Sequence, residues 1–206
     1  MPKHPFPLIP ASACALLFLA LIAFYPQLAW LDAAVGQALY GGHAVTISAA
    51  RGLQALGSGW GVAALGAAAA LGLIRHWRDR PAAWGLLAAL VACGASNQLA
   101  KLWLARPRPE WGPLLAQASG YSLPSGHAMA ACTLAAVLAS IASRHRPAKQ
   151  ALWWSLAATW VLASCLARLV LGVHYFTDLV AGVALASLVV LGFRQFYLQQ
   201  ERGISL

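Results

Sequence analysis

The chain has 206 residues, of which 61% are hydrophobic and only 9% are charged. Soluble domains carry about 25% charged residues, so this composition excludes an ordinary soluble domain. The net charge of +9 would suggest nucleic acid binding in a soluble protein, but basic residues in cytoplasmic loops set topology in a membrane protein. We therefore predict an all-α, polytopic membrane helix bundle, a single domain over residues 1–206 that binds no nucleic acid.

Six apolar runs along the chain predict six transmembrane helices. The first run covers residues 8–25 and follows Lys3. A signal peptide is the alternative, but this run is long for one and no small-residue cleavage site ends it. Residues 26–58 are mixed in character, and we predict an external loop with a short interfacial amphipathic helix over about residues 44–56.

The other five spans lie further along the chain. They are predicted at about residues 59–74, 82–104, 125–143, 151–173 and 175–196. The second span is rich in Gly and Ala, which favours close helix packing. Residues 106–110 break the third helix, and the loop that they begin lasts until Pro124.

The basic residues predict the orientation of these spans. An even number of spans places both termini on one side, and nine of the fourteen Lys and Arg residues fall on that side. These nine are Lys3, Arg75, Arg78, Arg80, Arg144, Arg146, Lys149, Arg194 and Arg202. The positive-inside rule then places both termini in the cytoplasm.

The four cysteines all fall inside apolar runs. They are Cys14, Cys93, Cys132 and Cys165. Their spacing fits neither a disulfide framework nor a metal site. We interpret them as small core residues.

The stretch from Leu123 to His127 predicts a helix start. Pro124 blocks a helix on its N-terminal side, Ser125 is a good N-cap, and Gly126 and His127 fall in the first turn. The unpaired N–H groups and the partial positive charge of a helix start can hold an anion. An ordinary helix start with an interfacial histidine is the alternative.

Polar residues within or beside the spans are costly and are functional candidates. They are Lys101, Arg108, Ser125, His127, Arg168, His174 and Asp178. With the topology above, every one of them lies near the outer face of the membrane. Scattered polar residues would divide between the two faces, so the agreement indicates one site.

These residues permit phosphoryl transfer. The three cations and the helix-start amides would hold a multiply charged anion such as phosphate. His174 and Asp178 are four residues apart and share a helix face, and a carboxylate behind an imidazole makes the other ring nitrogen a better nucleophile. His127 is a second imidazole that could protonate a leaving oxygen. A nucleophile, its orienting acid, a general acid and an anion clamp together make a phosphotransfer site.

Several of these residues have simpler interpretations. We predict that Arg106 snorkels to lipid head groups, and Lys101 could do the same. Arg168 and Asp178 could form a structural ion pair, and Glu110 is interpreted as a solvated loop charge.

A metal site is the other alternative for the two histidines and Asp178. Three adjacent cations would repel a divalent ion and already perform its electrostatic task. We therefore predict no metal and no other cofactor.

Three blocks resemble the signatures of the type 2 phosphatidic acid phosphatase family, which is related to vanadium-dependent haloperoxidases. Residues 101–109 contain a Lys, six intervening residues and then Arg-Pro. Residues 124–127 read Pro-Ser-Gly-His, and residues 168–178 contain an Arg, five residues, a His, three residues and an Asp. One block alone would be weak, but all three occur here in family order.

The resemblance implies a role for each residue. His174 would form a phosphohistidine, Asp178 would orient it, and His127 would protonate the leaving group and later activate water. The phosphate would be bound by Lys101, Arg108, Ser125, Gly126 and Arg168. The third block usually opens with Ser-Arg, whereas Ala167 stands here, so one hydrogen bond near the site is expected to be missing.

The resemblance also implies a metal-independent lipid phosphatase in a bacterial inner membrane, with its active site facing the periplasm or cell exterior. The expected substrate is phosphatidate, phosphatidylglycerophosphate or undecaprenyl diphosphate. Residues 110–121 and the segment around Arg51 are the candidates for head-group selection, and the sequence predicts no oligomeric state.

Two other functions remain open at this point. One is a lipid phosphotransferase, in which a second lipid replaces water as the acceptor. The other is a lipid carrier or channel, which would need a helix broken near the membrane midplane. The clustering of the charges at one face disfavours the carrier.

Overall fold

The computed structural model describes residues 8–203, and these residues form an all-α fold with no strand. Their helices are α1 (Leu8–Phe24), α2 (Ala29–Leu39), α3 (Ala44–Leu56), α4 (Gly59–Gly72), α5 (Arg80–Leu104), α6 (Gly126–His145), α7 (Gln150–Val170) and α8 (Phe176–Gly203). A π-helical turn, Leu73–Trp77, extends α4, and a 3₁₀ turn precedes α7. Lys3 and the side chain of Arg202, both used in the topology prediction, lie outside the described part.

Within the described part, four helical segments are long and apolar enough to cross a membrane. They are Arg80–Leu104, Gly126–His145, Pro147–Val170 and Phe176–Tyr197. The count rises to six if each of two bent helix pairs is one span, namely α1 with α2 and α3 with the extended α4. The prediction of a polytopic helical membrane protein is confirmed.

The segment before α4 contains more helix than the sequence predicted. The expected helix over residues 44–56 is α3, with the same bounds. The sequence predicts a loop where helix α2 lies, because residues 26–58 are mixed in character. The structure bends the chain by 94° between α1 and α2, and the carboxylate of Asp32 is only 1% exposed.

Helix α6 lies at the centre of the bundle and packs against α5, α7 and α8. Its side chains Met129, Val137 and Ile141 are fully buried. Small residues allow the helices to approach closely: a Cβ atom added to Gly182 of α8 would lie 2.8 Å from the carbonyl oxygen of Ser125. Helix α8 is therefore held against the very start of α6.

All four cysteines are free thiols.

One end of the bundle, called here the far end, is closed by a clasp around Asp79. Its carboxylate accepts hydrogen bonds from the backbone N–H of Ala82 at 3.0 Å, from the hydroxyl of Tyr197 and from Nε2 of His145 at 3.0 Å. The ring of Trp77 stacks on His145 with 4.5 Å between centroids. These contacts join the start of α5 to the last turns of α6 and α8.

The opposite end, called here the loop end, carries the loop over residues 105–125. Its Trp111 packs against Gly36 of α2, where an added Cβ atom would lie 2.4 Å from the indole ring. Gly172 has φ +67° and lies under the ring of Tyr40, so a side chain there would be both strained and obstructed. The hydroxyl of Tyr40 donates to the carbonyl of Pro113. The loop is thus packed onto α2 and onto the turn between α7 and α8.

Candidate active site

The site begins at the predicted helix start. Ser125 caps α6, because its Oγ atom accepts from the N–H of Ala128 at 3.4 Å. Its own N–H donates to the carbonyl of Asp178 at 3.0 Å, which ties the start of α6 to the first turn of α8. Gly126 is the first residue of α6, and an added Cβ atom there would lie 3.0 Å from Oδ1 of Asn97. The N-cap prediction is confirmed.

His174 and Asp178 form the predicted pair. Nδ1 of His174 lies 3.4 Å from Oδ2 of Asp178, and that same oxygen accepts from the N–H of Tyr175 at 3.0 Å. Nη1 of Arg108 lies 3.2 Å from Nε2 of the histidine. A guanidinium can only donate, so Nε2 carries the lone pair and Nδ1 carries the proton that faces Asp178.

The environment of His174 keeps its imidazole neutral. The ring lies in the turn between α7 and α8 and is 2% exposed. Burial lowers the pKa of His174 to about 4, and the positive charges of Arg108 and Arg168 act in the same direction, while Asp178 opposes them. A neutral imidazole with its Nε2 lone pair available has the state that a nucleophile requires.

Arg108 is held by backbone carbonyls rather than by an acid. Its Nε donates to Gly120 at 3.0 Å, its Nη2 to Ser119 at 2.8 Å and its Nη1 to Val173 at 2.7 Å. Burial lowers the pKa of Arg108 from its ordinary value, but a guanidinium remains charged in proteins. The loop thus places a positive charge beside His174 without neutralising it.

Arg168 is buried at the end of α7, with 2% of its surface exposed. Nη1 donates to Oε1 of Gln54 at 3.0 Å, whereas the buried Nε–H finds no acceptor within residues 8–203. A bound anion would supply the missing acceptor. The alternative in which Arg168 pairs with Asp178 is wrong, because Asp178 pairs with Arg106 and Nη1 of Arg168 donates to Gln54.

Lys101 lies in the last turn of α5 and is half-buried. Its charge interacts with those of Arg108, Arg168 and Asp178. It therefore belongs to the same group of charges.

His127 is placed by the same glutamine that contacts Arg168. Nε2 of His127 lies 3.2 Å from the backbone carbonyl of Gln54, and a carbonyl only accepts. The ring packs on Gly57, where an added Cβ atom would lie 2.6 Å from Cδ2 of the histidine. The charge of Arg168 acts on this imidazole, so the two lie in one electrostatic environment.

An apolar cavity of about 640 Å³ lies among α4, α5 and α6. Its walls include Val62, Leu87 and Leu90, and Gly126 and His127 also line it. Val91 on its wall is 73% exposed. The cavity therefore connects the predicted site to the outer surface of the helix bundle.

The prediction that Arg106 snorkels is wrong. The side chain is only 6% exposed and lies between the rings of two tyrosines, 3.9 and 4.5 Å from their centroids. Nη1 donates to Oδ1 of Asp178 at 2.6 Å and to Oγ1 of Thr177 at 2.8 Å, and Nη2 donates to Oδ2 of Asp32 at 2.8 Å. Arg106 turns inward because helix α2 places a buried carboxylate within its reach.

Four residues of the site were not singled out from the sequence. They are Asp32, Gln54, Asn97 and Thr177. Asp32 is one of only five acidic residues in the chain, and its position in an apolar segment was a usable signal. Gln54, Asn97 and Thr177 carried no such signal, because neutral polar side chains are common beside membrane spans.

The structure brings all of the predicted site residues to the loop end. Hydrogen bonds join Ser125 to Asp178, Asp178 to His174 and His174 to Arg108. Gln54 joins two more of them, His127 and Arg168. Gly126 follows Ser125 at the helix start, and Lys101 joins the group through its charge.

Fold and site together describe an all-α membrane bundle with one buried polar centre at its loop end. The chain belongs to the PAP2 superfamily, whose sequence model matches residues 82–202. The expected family is therefore confirmed. The matched range contains every predicted site residue and leaves out Asp32 and Gln54.

A curated relative is phosphatidylglycerophosphatase B of Bacillus subtilis (strain 168), which is 31% identical over 112 residues. The match covers 52% of this chain and 55% of the relative, so it spans about half the length of that protein. A solved structure, described as the first transmembrane PAP2-type phosphatidylglycerolphosphate phosphatase from Bacillus subtilis, superimposes with a TM-score of 0.85. It covers 92% of this chain and 96% of its own at 24% identity, which shows a shared fold.

Proposed function

We propose that this protein is an integral membrane lipid phosphatase of the phosphatidylglycerophosphatase type. The observation that carries the proposal is the buried, neutral His174, held between Asp178 and the cation Arg108. The names of the curated relative and of the solved structure support the reaction class. The charge of Arg168 also acts on His174, and the charge of Lys101 interacts with those of Arg108 and Arg168.

Substrate phosphate would bind among the groups that have donors to offer. The unpaired Nε–H of Arg168 and the amides at the start of α6 would donate to its oxygens. Lys101 would add charge, and Arg108 would transfer its hydrogen bond from Nε2 of His174 to a phosphate oxygen. That transfer frees the histidine lone pair just as the phosphorus comes within reach.

The reaction would proceed in two displacements. His127 would enter the reaction as the imidazolium. Nε2 of His174 attacks phosphorus, the bond to the lipid oxygen breaks with its electron pair, and His127 gives that oxygen a proton and becomes neutral. Asp178 stabilises the phosphohistidine through the Nδ1–H group. The neutral His127 then takes a proton from water, and the water oxygen bonds to phosphorus. The bond from phosphorus to Nε2 breaks with its electron pair, which restores His174 and releases inorganic phosphate.

The cations would perform the electrostatic task that a metal ion performs in other phosphatases. Arg108 lies 3.2 Å from the nitrogen that a metal would need as ligand. We expect a chelator such as EDTA to leave phosphate release unchanged, and loss of activity that added Mg²⁺ restores would contradict this.

The apolar cavity supports lateral entry of the lipid. Its volume of about 640 Å³ and its apolar walls suit an acyl or prenyl chain, and His127 lines the end nearest the site. The scissile oxygen of a lipid that occupies the cavity would lie beside His127. The proton donor would then lie on the side of the leaving group.

Arg51 would select the head group. A pocket of about 430 Å³ lies between α3 and the loop, lined by Arg51, Gln54 and residues 114–117. Nε of Arg51 donates to the carbonyl of Leu115 at 2.9 Å. Phosphatidylglycerophosphate and undecaprenyl diphosphate both keep one phosphate on the leaving group, whereas phosphatidate keeps none, so a cation here would favour the first two.

The head-group assignment is tested with Arg51→Gln. We expect kcat/KM for phosphatidylglycerophosphate to fall about tenfold, the effect of one charge-assisted hydrogen bond, and kcat/KM for phosphatidate to stay the same. Arg75→Gln at the far end is the matched control. Equal losses on both lipids would remove Arg51 from head-group selection.

The central test is His174→Ala in purified, detergent-solubilised protein, with His76→Ala at the far end as control. Phosphate release from phosphatidylglycerophosphate should fall to background in the first variant and stay at the wild-type level in the second. A folded His174→Ala protein with full activity would refute the mechanism. Wild-type protein that binds the lipid without releasing phosphate would favour a carrier.

Hydrolysis and phosphotransfer are separated by the products. A diphosphate lipid labelled on its terminal phosphate should yield labelled inorganic phosphate. Label on a second lipid would identify a phosphotransferase with the same residues.

The proposed orientation places the loop end in the periplasm or at the cell exterior and both termini in the cytoplasm. Leu114 and Ala148 are exposed at the loop end and near the far end respectively. In a variant without native cysteines, an impermeant thiol reagent should label Leu114→Cys but not Ala148→Cys in intact spheroplasts. The reverse pattern would invert the topology.

A further inference from the structure

We infer that Arg106 and Asp32 are positioning residues for the reaction proposed above: they hold Asp178 in one orientation and, through it, His174. The activity readout of this inference rests on the proposed function. Asp32 lies outside the residues that match the family model, and Arg106 is neither of the two arginines assigned to phosphate, Arg108 and Arg168.

Both oxygens of Asp178 are occupied from different directions. Oδ1 accepts from Arg106 at 2.6 Å, while Oδ2 accepts from the N–H of Tyr175 at 3.0 Å and faces His174 at 3.4 Å. The residue is 0% exposed, so water cannot replace a lost partner. Removal of Arg106 therefore frees the carboxylate to rotate away from the histidine.

Arg106 is itself fixed on every side that the structure records. Two tyrosine rings sandwich its guanidinium, and its two terminal nitrogens bind acids on different helices, Asp32 of α2 and Asp178 of α8. A planar fork can bridge two carboxylates in this way, whereas the single ammonium of a lysine cannot hold both with the same geometry.

Asp32 pairs with the positive charge of Arg106 and anchors the first turn of α8. Its Oδ1 accepts from the N–H of Thr177 at 2.9 Å, and its Oδ2 accepts from the hydroxyl of Thr177 at 2.7 Å and from Arg106. Thr177 directly precedes Asp178 in the chain. Asp32 thus fixes the backbone next to Asp178. It also fixes Arg106, which binds Asp178.

The competing role for Arg106 is direct phosphate binding. Both of its terminal nitrogens already donate to protein acceptors, whereas the buried Nε–H of Arg168 finds none among residues 8–203. Substitutions of Arg106 and of Arg168 are therefore expected to have different kinetic effects. Loss of a phosphate contact weakens substrate binding, while loss of a positioning contact slows the chemical step.

The test compares Arg106→Met, Arg106→Lys and Asp32→Asn in purified full-length protein. Misplacement of a reacting group by about 1 Å slows a reaction on the order of 100-fold, so Arg106→Met should lose about that much in kcat with KM within about threefold of wild type. Arg106→Lys should recover part of the loss, and Asp32→Asn should lose about tenfold. Arg194→Met removes an arginine that lies over Trp154 at 6.0 Å and should leave kcat unchanged.

Unchanged kcat in folded Arg106→Met would overturn the inference, and so would a raised KM with normal kcat, which would make Arg106 a phosphate ligand. Equal loss in Arg106→Lys and Arg106→Met would also contradict it. If Arg106→Met does not fold, Arg106→Lys and Asp32→Asn still test the inference. Their kcat is expressed per folded molecule, with the folded fraction taken from a thermal melt.

Orthovanadate separates this inference from the proposed function. Vanadate mimics the phosphoryl group bound to the nucleophile, so its affinity reports the position of His174 without lipid turnover. Weaker vanadate binding in Arg106→Met, with inorganic phosphate bound as in wild type, supports the positioning role even if the wild type releases no phosphate from lipid. Equal vanadate affinity in both proteins would refute it.

Discussion

Asp178→Asn changes one atom of the site and keeps its shape. The carboxylate accepts on both oxygens, from Arg106 on one side and from Tyr175 and His174 on the other. An asparagine offers one acceptor and one NH₂ group. On one side of the residue, the NH₂ group would therefore face another hydrogen-bond donor. If the amide oxygen faces Arg106, the NH₂ group faces the Nδ1–H of His174 and favours the wrong tautomer.

The size of the effect follows from these contacts. A hydrogen bond to a charged group contributes about 1.5–3 kcal/mol, and Arg106 keeps Asp32 as its second partner, so we expect the free energy of unfolding to fall by about that amount. Loss of the acid that orients a catalytic imidazole slows a reaction on the order of 10³- to 10⁴-fold. That factor corresponds to about 4–5.5 kcal/mol in the activation free energy.

The assay is phosphate release from phosphatidylglycerophosphate in mixed micelles, at saturating lipid and below the melting temperature of the variant. Asp79→Asn is the matched control, since Asp79 is also a hydrogen-bonded carboxylate at a helix start but lies at the far end. It should lose stability and keep its kcat. Activity of Asp178→Asn within tenfold of wild type would refute the role of Asp178 as the acid behind the nucleophile.

Three more outcomes test the site and its packing. Since burial lowers the pKa of His174 to about 4, its imidazole is neutral above that value, and kcat/KM should fall only as the pH drops through about 4; an acid limb near pH 6.5 would contradict this. Gly182→Ala brings a Cβ atom to 2.8 Å from the backbone oxygen of Ser125, and such overpacking should destabilise the protein by about 1–3 kcal/mol and reduce activity. Gly192→Ala on the same helix meets open space and should stabilise it by up to about 1 kcal/mol; melting temperatures that move alike in the two variants would contradict the packing.

The parts of the site that lie close together in sequence could be predicted. Ser125 as N-cap follows from the proline before it and the apolar run after it, since capping is a local property of the chain. His174 and Asp178 share a site because they are one helical turn apart. Their common location with Lys101 and Arg168 followed from span counting, because each of these residues lies at a helix end that the predicted topology places on the same side of the membrane.

The parts that depend on distant segments could not be predicted. Arg106 and Asp32 are 74 residues apart, and only the bend after α1 brings them together. From its neighbours alone, Arg106 beside a helix end fits a snorkelling residue equally well. Gln54 contacts His127 and Arg168, which are also far from it in sequence, and a neutral amide leaves no pattern that predicts such contacts.

The pairing of Arg106 with two buried acids has an evolutionary consequence. Two carboxylates buried without the guanidinium leave uncompensated charge that is strongly destabilising, whereas loss of Asp32 alone still leaves Arg106 paired with Asp178. Among related sequences, loss of the arginine at position 106 should therefore be accompanied by loss of the acid at position 32. Since position 32 lies outside the matched residues 82–202, this constraint would link helix α2, which the family model does not cover, to the residues that the model matches.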